Sequence, residues 1–185
     1  LKFGIGRNTD LQLVIAPYQR QMTTDERTGD RSRIAGFGDV TLRLKHNLWG
    51  NDGGPTALAL MPFITLPTGR EGLGAEGVEF GLIVPLAITL SDGIDLGLMT
   101  QINATRADGR YRATFINSAT LGFTLTDRIG IYAEIYTEFD PAAHSADMGL
   151  TYAVGDNAQF DLGANLGLTD AADDMVLFIG FSRKF

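Results

Sequence analysis

Tyr132, Glu134, Tyr136 and Glu138 recur at every second position of one stretch, and Asp147 and Asp161 fall in the two stretches that follow. Successive side chains on a β-strand point to opposite faces, so this spacing puts two phenols and two carboxylates in one column. A column of that kind can bind or conduct small solutes, the acids favouring cations and the tyrosines giving aromatic contact. Arg43, Lys45, Arg112 and Lys184 supply the opposite charge and leave a second reading open. In it the interior is a closed, salt-bridged plug, because buried charges need partners and a small barrel can fill itself with them. Nucleophilic chemistry has few bases to draw on. His46 has no serine beside it on the strand pattern, and the neighbours His144 and Ser145 read as solvated loop residues rather than the core of a Ser/His/Asn group. Asp25, Glu26 and Asp30 lack the spacing of a calcium loop and read as a wet segment. No enzyme, cofactor or metal site is expected.

The elements that must carry this column share one period. In Gly77–Leu90 every even position, from Val78 to Leu90, is large and apolar, whereas the odd ones mix Glu79 and Ile83 with Gly, Pro, Ala and Thr. At about 3.3 Å per residue the run spans roughly 40 Å, enough for a tilted strand to cross a bilayer. The same alternation marks 1–6, 10–21, 36–48, 56–66, 94–105, 111–125, 129–139, 146–154, 159–168 and 175–185. That gives about eleven strands. Residues 22–35, rich in Thr, Asp, Arg and Gly without periodicity, are expected to be a loop. Asn117 interrupts the oily face of its strand, and Pro17, Pro62 and Pro85 each remove a ladder hydrogen bond.

Composition narrows the class. The 185 residues carry a net charge of -7 and no cysteine, which argues against nucleic-acid binding and excludes disulfides and thiolate metal sites. No apolar run approaches the roughly 20 residues of a membrane helix. An antiparallel meander can close as a soluble sandwich, a lipocalin-like cup or a membrane barrel, and the charges decide. The less oily face carries Asp39, Arg43, Lys45, Glu79, Asp95, Gln101, Asn103, Arg112, Tyr132, Glu134, Tyr136, Glu138, Asp147, Asp161, Asn165 and Lys184. The other is nearly all Leu, Ile, Val and Phe, and needs either a second layer or lipid against it. No segment remains to build a second layer. The expected fold is therefore an all-β, antiparallel, up-and-down transmembrane β-barrel of the bacterial outer membrane, in a single domain, with those polar residues lining the lumen. The alternative is a two-sheet sandwich with its oily faces inward.

With the last strand ending in the periplasm, the turns at 7–9, 49–54, 91–93, 126–128 and 155–157 lie on that side. Residues 22–35, 67–76, 106–110, 141–145 and 169–174 face outward, where such barrels keep their longer loops. By this count the first strand runs downward. An intact barrel of twelve strands is expected, with the first and part of the second absent here and a free edge that a second copy or another envelope protein could cover. Arginines gather at the outer end, and Arg31, Arg33, Arg106 and Arg110 are candidates to hold lipopolysaccharide phosphates by bidentate hydrogen bonds. Solubility and pairing to loop acids explain them equally well.

The string Gly36-Phe37-Gly38-Asp39-Val40-Thr41-Leu42-Arg43-Leu44-Lys45, followed by Leu66-Pro67-Thr68-Gly69, resembles the outer-membrane family of transporters of the meta-pathway of phenol degradation. The resemblance covers nearly the whole chain and implies a barrel that passes small hydrophobic or aromatic compounds. Gly180, Phe181 and Phe185 also resemble the C-terminal signal read by the barrel-assembly machinery, with Arg183 where an aromatic is usual. The functional expectation is passive diffusion of small solutes through a polar lumen. Its rival is an accessory barrel with a plugged lumen that binds another envelope protein.

Overall fold

A computed structural model describes residues 1–16, 18–24, 28–139 and 142–184, and among them there are thirteen strands and no helix. The strands are β1 (Lys2–Gly4), β2 (Thr9–Ile15), β3 (Tyr18–Thr24), β4 (Arg31–Phe37), β5 (Val40–Trp49), β6 (Thr56–Leu66), β7 (Glu79–Ser91), β8 (Ile94–Ala107), β9 (Arg110–Thr124), β10 (Ile129–Phe139), β11 (Ala143–Val154), β12 (Ala158–Gly167) and β13 (Met175–Arg183). Eleven of them form one antiparallel sheet in the order β1-β2-β5-β6-β7-β8-β9-β10-β11-β12-β13. Every step but one joins strands adjacent in sequence, as an up-and-down meander requires. No pairing joins β1 to β13 among the described residues.

The exception corrects the sequence reading of 22–35 as a loop. β3 and β4 pair with each other in a separate ribbon, with a register from Tyr18 opposite Phe37 to Thr24 opposite Arg31. Arg20, Met22, Arg31, Ser32 and Arg33 are all exposed. Backbone hydrogen bonds hold such a ribbon whatever its side chains, and residues 22–35 carry no apolar alternation to announce it. Pro62 and Pro85 sit inside β6 and β7, and Pro17 lies outside the described residues. Between β8 and β9 the two-residue turn Asp108-Gly109 has φ of 52° and 71°, the left-handed pair that suits a tight hairpin.

Two compact units divide the chain. The first is Leu1–His46, Leu60–Ile83 and Ile102–Ala113; the second is Asn47–Ala59, Val84–Gln101 and Thr114–Phe185. Charge divides with them: the second unit holds thirteen Asp and Glu against three Lys and Arg, the first nine against twelve.

In β5 and β10 burial follows the period but inverts the usual sense, whereas in β7 Leu82, Val84 and Leu86 are half-buried and Ile83 on the other face is buried. Along β10, Ile131, Ala133 and Ile135 are exposed while Tyr132, Glu134, Tyr136 and Glu138 are half-buried. In β5, Leu42, Leu44 and Leu48 are exposed and Thr41, Arg43, Lys45 and Asn47 half-buried. Among the described residues the buried apolar side chains are Ala59, Met61, Ile83 and Ile116, with no leucine among them, whereas Leu162 is 59% and Ile179 78% exposed. A water-soluble sandwich places its leucines inside.

Candidate functional site

The polar face of β9 to β13 is built in rows fixed by register. One row runs Thr120, Glu134, Asp147, Asn165 and Val176 across five strands. The row on one side of it is Ser118, Tyr136, Ser145 and Gly167, and on the other Gly122, Tyr132, Gly149, Gly163 and Phe178. Five of the expected lumen residues, Tyr132, Glu134, Tyr136, Asp147 and Asn165, are thereby neighbours. Asp161 belongs to the next row, opposite Thr151 and Gly180.

The glycines of this face give its rings somewhere to lie. A Cβ on Gly149 would stand 2.6 Å from the Tyr132 ring carbons and hydroxyl, and one on Gly163 would collide with the Phe178 ring. Each ring is the direct cross-strand partner of its glycine. The aromatic side chains therefore rest flat on the backbone of the next strand instead of standing off the sheet.

The carboxylates are satisfied by neutral groups, where they are satisfied. Thr120 donates to Glu134, Tyr136 to Glu138 at 3.3 Å and Gln159 to Asp161 at 2.6 Å. Lys2 pairs with Asp10 at 2.9 Å and Arg112 with Asp108 at 3.7 Å, and neither pair involves this group. Asp147 Oδ1 is shut off from solvent with no hydrogen-bond partner, and so is Arg43 Nε. Beside this wall lies a cavity of about 440 Å³, lined by Tyr136, Ser145, Asp147, Asn165, Asp173 and Phe178 together with small apolar residues.

Asp173 and Phe178 are not singled out by the sequence, and Ser145 is read there only as a loop neighbour of His144. Phe178 faces the polar side among glycines, and a ring on an otherwise polar face opposite Gly163 is the signal that marks it. Asp173 comes from the connection after β12, which no period describes.

The remaining expected lumen residues are dispersed. Gln101 and Asn103 are half-buried in β8, Arg43 and Lys45 in β5, and Lys184 is exposed beyond β13. Exposed Asp95 accepts from Thr89 at 2.9 Å, and exposed Arg112 pairs with Asp108. Glu79 accepts the Arg106 amide at 3.3 Å, and Asp39 is bound to loop amides. The lipopolysaccharide candidates Arg31, Arg33, Arg106 and Arg110 are all exposed, and Arg106 lies 5.9 Å from the Tyr111 ring centroid. Phe181 packs on Phe160 with centroids 4.9 Å apart, a Cβ on Gly180 would meet Asp161, and Phe185 lies outside the described residues.

His144 and Ser145 belong to a strand rather than a loop, and as adjacent residues of β11 they point to opposite faces. His144 stacks edge-on against Phe139 at 5.9 Å, and Ser145 Oγ accepts from Asn165 at 3.0 Å. His46 meets Thr9 at 2.9 Å across β2 and β5. Asp30 donates its amide to Thr28, while Asp25 and Glu26 lie outside the described residues. No group of acidic, histidine or cysteine residues suited to a metal ion occurs among the described residues.

Over residues 1–185 the sequence matches the family described as "Putative MetA-pathway of phenol degradation". The chain belongs to this family. A comparison with curated proteins finds no match. Within this phenol-degradation family member, the two strings that carried the resemblance meet in space, since Asp39 of the first accepts the Gly69 amide of the second at 2.7 Å.

Proposed function

We propose that the chain is a transmembrane β-barrel of the bacterial outer membrane that lets small molecules, aromatic ones included, diffuse through a polar lumen. The inverted burial carries this reading. Leucines exposed along the strands need hydrocarbon as their neighbour, and the half-buried polar column forms the lumen wall. The placement of exposed aromatic residues adds to it. Phe80, Tyr111 and Phe139 sit near one end of their strands and Trp49, Tyr152, Phe160 and Phe181 near the other, as the two aromatic girdles of a membrane barrel do. Lipid, lipopolysaccharide and the barrel-assembly machinery are the partners that follow, and no catalytic role is assigned.

The rival accessory barrel with a plugged lumen relies on ion pairs to close it. Glu134, Glu138, Asp147 and Asp161 have no Lys or Arg partner among the described residues, which favours an open path. The test is reconstitution. The refolded chain should shift its gel migration on heating, and in planar bilayers it should give discrete conductance steps that favour cations. A heat-modifiable barrel that passes neither ions nor neutral solutes in liposomes would support the plugged accessory role instead.

A further inference from the structure

The cavity beside β10 to β13 combines features that point to one class of occupant. Tyr136 and Phe178 give it aromatic surface, Ser145 and Asn165 are already hydrogen-bonded to each other, and Asp147 and Asp173 give it charge of one sign. Glu134 stands directly opposite Asp147 in the register, so a third carboxylate backs the wall. No described lysine or arginine pairs with any of them. Asp147 is left uncompensated by the protein, because no hydrogen-bond donor reaches its buried Oδ1. An uncompensated carboxylate in a low-dielectric wall attracts a cation strongly. A bare metal ion does not fit, because no metal-holding group of side chains exists among the described residues and two rings occupy the lining.

The wall is also built in advance. The connection between β12 and β13 that supplies Asp173 is tied down by Leu168 N–H to His144 O at 2.8 Å, His144 N–H to Thr169 Oγ1 at 3.0 Å and Gly167 N–H to Asp174 O at 3.1 Å. Its volume falls in the range of small-molecule sites, roughly 300 to 1,000 Å³. We infer that this cavity is a binding subsite for a small organic cation, an ammonium group carried on an aromatic or aliphatic body. The ammonium sits against Asp147 and the body lies along Phe178 and Tyr136. This deepens the proposed function and rests on the polar face being the lumen.

Equilibrium calorimetry on the refolded full chain in detergent at neutral pH tests it, with 2-phenylethylammonium, neutral 2-phenylethanol and anionic phenylacetate as probes. The ammonium is expected to bind at least tenfold more tightly than the alcohol, and phenylacetate no better than the alcohol. Asp147→Asn should weaken the ammonium about tenfold and leave the alcohol unchanged, in keeping with a charge-assisted contact. Asp92→Asn, on an exposed turn, should alter neither and so controls for overall acidity. Should Asp147→Asn fail to refold, Asp173→Asn in the connection and Phe178→Leu in the wall are each expected to lower ammonium affinity. Equal affinity for the three probes, or an ammonium affinity indifferent to these substitutions, overturns the subsite. Flux of neutral solutes through liposomes reads the channel separately. A conducting barrel without ammonium preference removes this inference alone, and a silent barrel that binds ammonium removes the channel alone.

Discussion

Asp39 and Gly69 are joined by a 2.7 Å hydrogen bond in which the glycine amide donates to Oδ1, while Asp39 Oδ2 accepts the Ala75 amide, also at 2.7 Å. One carboxylate thus holds two points of the connection between β6 and β7, and the Val40 amide adds a bond to Thr68 Oγ1 at 3.0 Å. A Cβ on Gly74 would come 2.5 Å from Asp39 Oδ1 and one on Gly69 2.9 Å, so both glycines are there for close approach.

This clamp predicts the behaviour of its parts. Hydrogen bonds to a charged group are worth about 1.5 to 3 kcal/mol each, so Asp39→Ala should loosen the connection while leaving the barrel folded. The readout is limited trypsin digestion, with cleavage after Arg70 expected to accelerate in Asp39→Ala and in Gly74→Ala alike. Unchanged digestion in both would mean that the carboxylate is dispensable to the loop.

The inverted faces predict an asymmetry within one strand. Leu162 stands at the middle of β12, opposite Leu150 and Ile179 on the exposed apolar side. An arginine at the midplane of a lipid face costs about 2 to 4 kcal/mol, whereas an exposed position in water would tolerate it within roughly 0.5 kcal/mol. Leu162→Arg should therefore reduce the heat-modifiable fraction after refolding into liposomes, and Asn165→Arg, on the polar face, should reduce it far less. The reverse ranking would mean that water, not lipid, meets the leucines.

How much of this was legible beforehand depends on which residues feel a boundary. β5 to β13 each border an apolar and a polar environment, so the two-residue period reveals them, and Glu134 and Tyr136 could be placed on the right column from spacing alone. The ribbon of β3 and β4 has polar residues on both sides, and Arg31-Ser32-Arg33 carries no period to read. His144 was read as a loop residue because its strand begins at Ala143, where Pro141 and the preceding acid obscure the start. Pairing across strands is a tertiary property. Nothing in the spacing of Asp39, Gly69 and Ala75 announces that three residues up to 36 positions apart share one carboxylate.

The outer arginines separate into two groups by contact. All four are exposed, but Arg106 also lies over Gly77, where a Cβ would meet its Cδ at 2.6 Å, and near the Tyr111 ring. Combined Arg31→Gln, Arg33→Gln and Arg110→Gln should lower lipopolysaccharide retention through detergent purification several-fold with little change in urea stability. Arg106→Gln should do the opposite, costing about 0.5 to 1 kcal/mol as a lost cation–π contact. Retention indifferent to all four substitutions would eliminate lipopolysaccharide as a partner of these side chains.

The ring of Tyr132 on Gly149 predicts a coupling whose sign depends on the partner. With Tyr132 in place, Gly149→Ala puts a Cβ 2.6 Å from the ring and must displace it, a cost of about 1 to 3 kcal/mol for overpacking. Once Tyr132→Ala has emptied the space, the same change meets no ring. It then restricts the unfolded chain and should be neutral or stabilising by up to about 1 kcal/mol. Urea unfolding of the two single variants and the double variant in lipid measures the difference as an interaction energy, which should be clearly non-zero for residues in direct cross-strand contact. Additive effects would mean that the ring does not lie on the glycine, and the flat aromatic surface proposed for the lumen wall would lose its clearest instance.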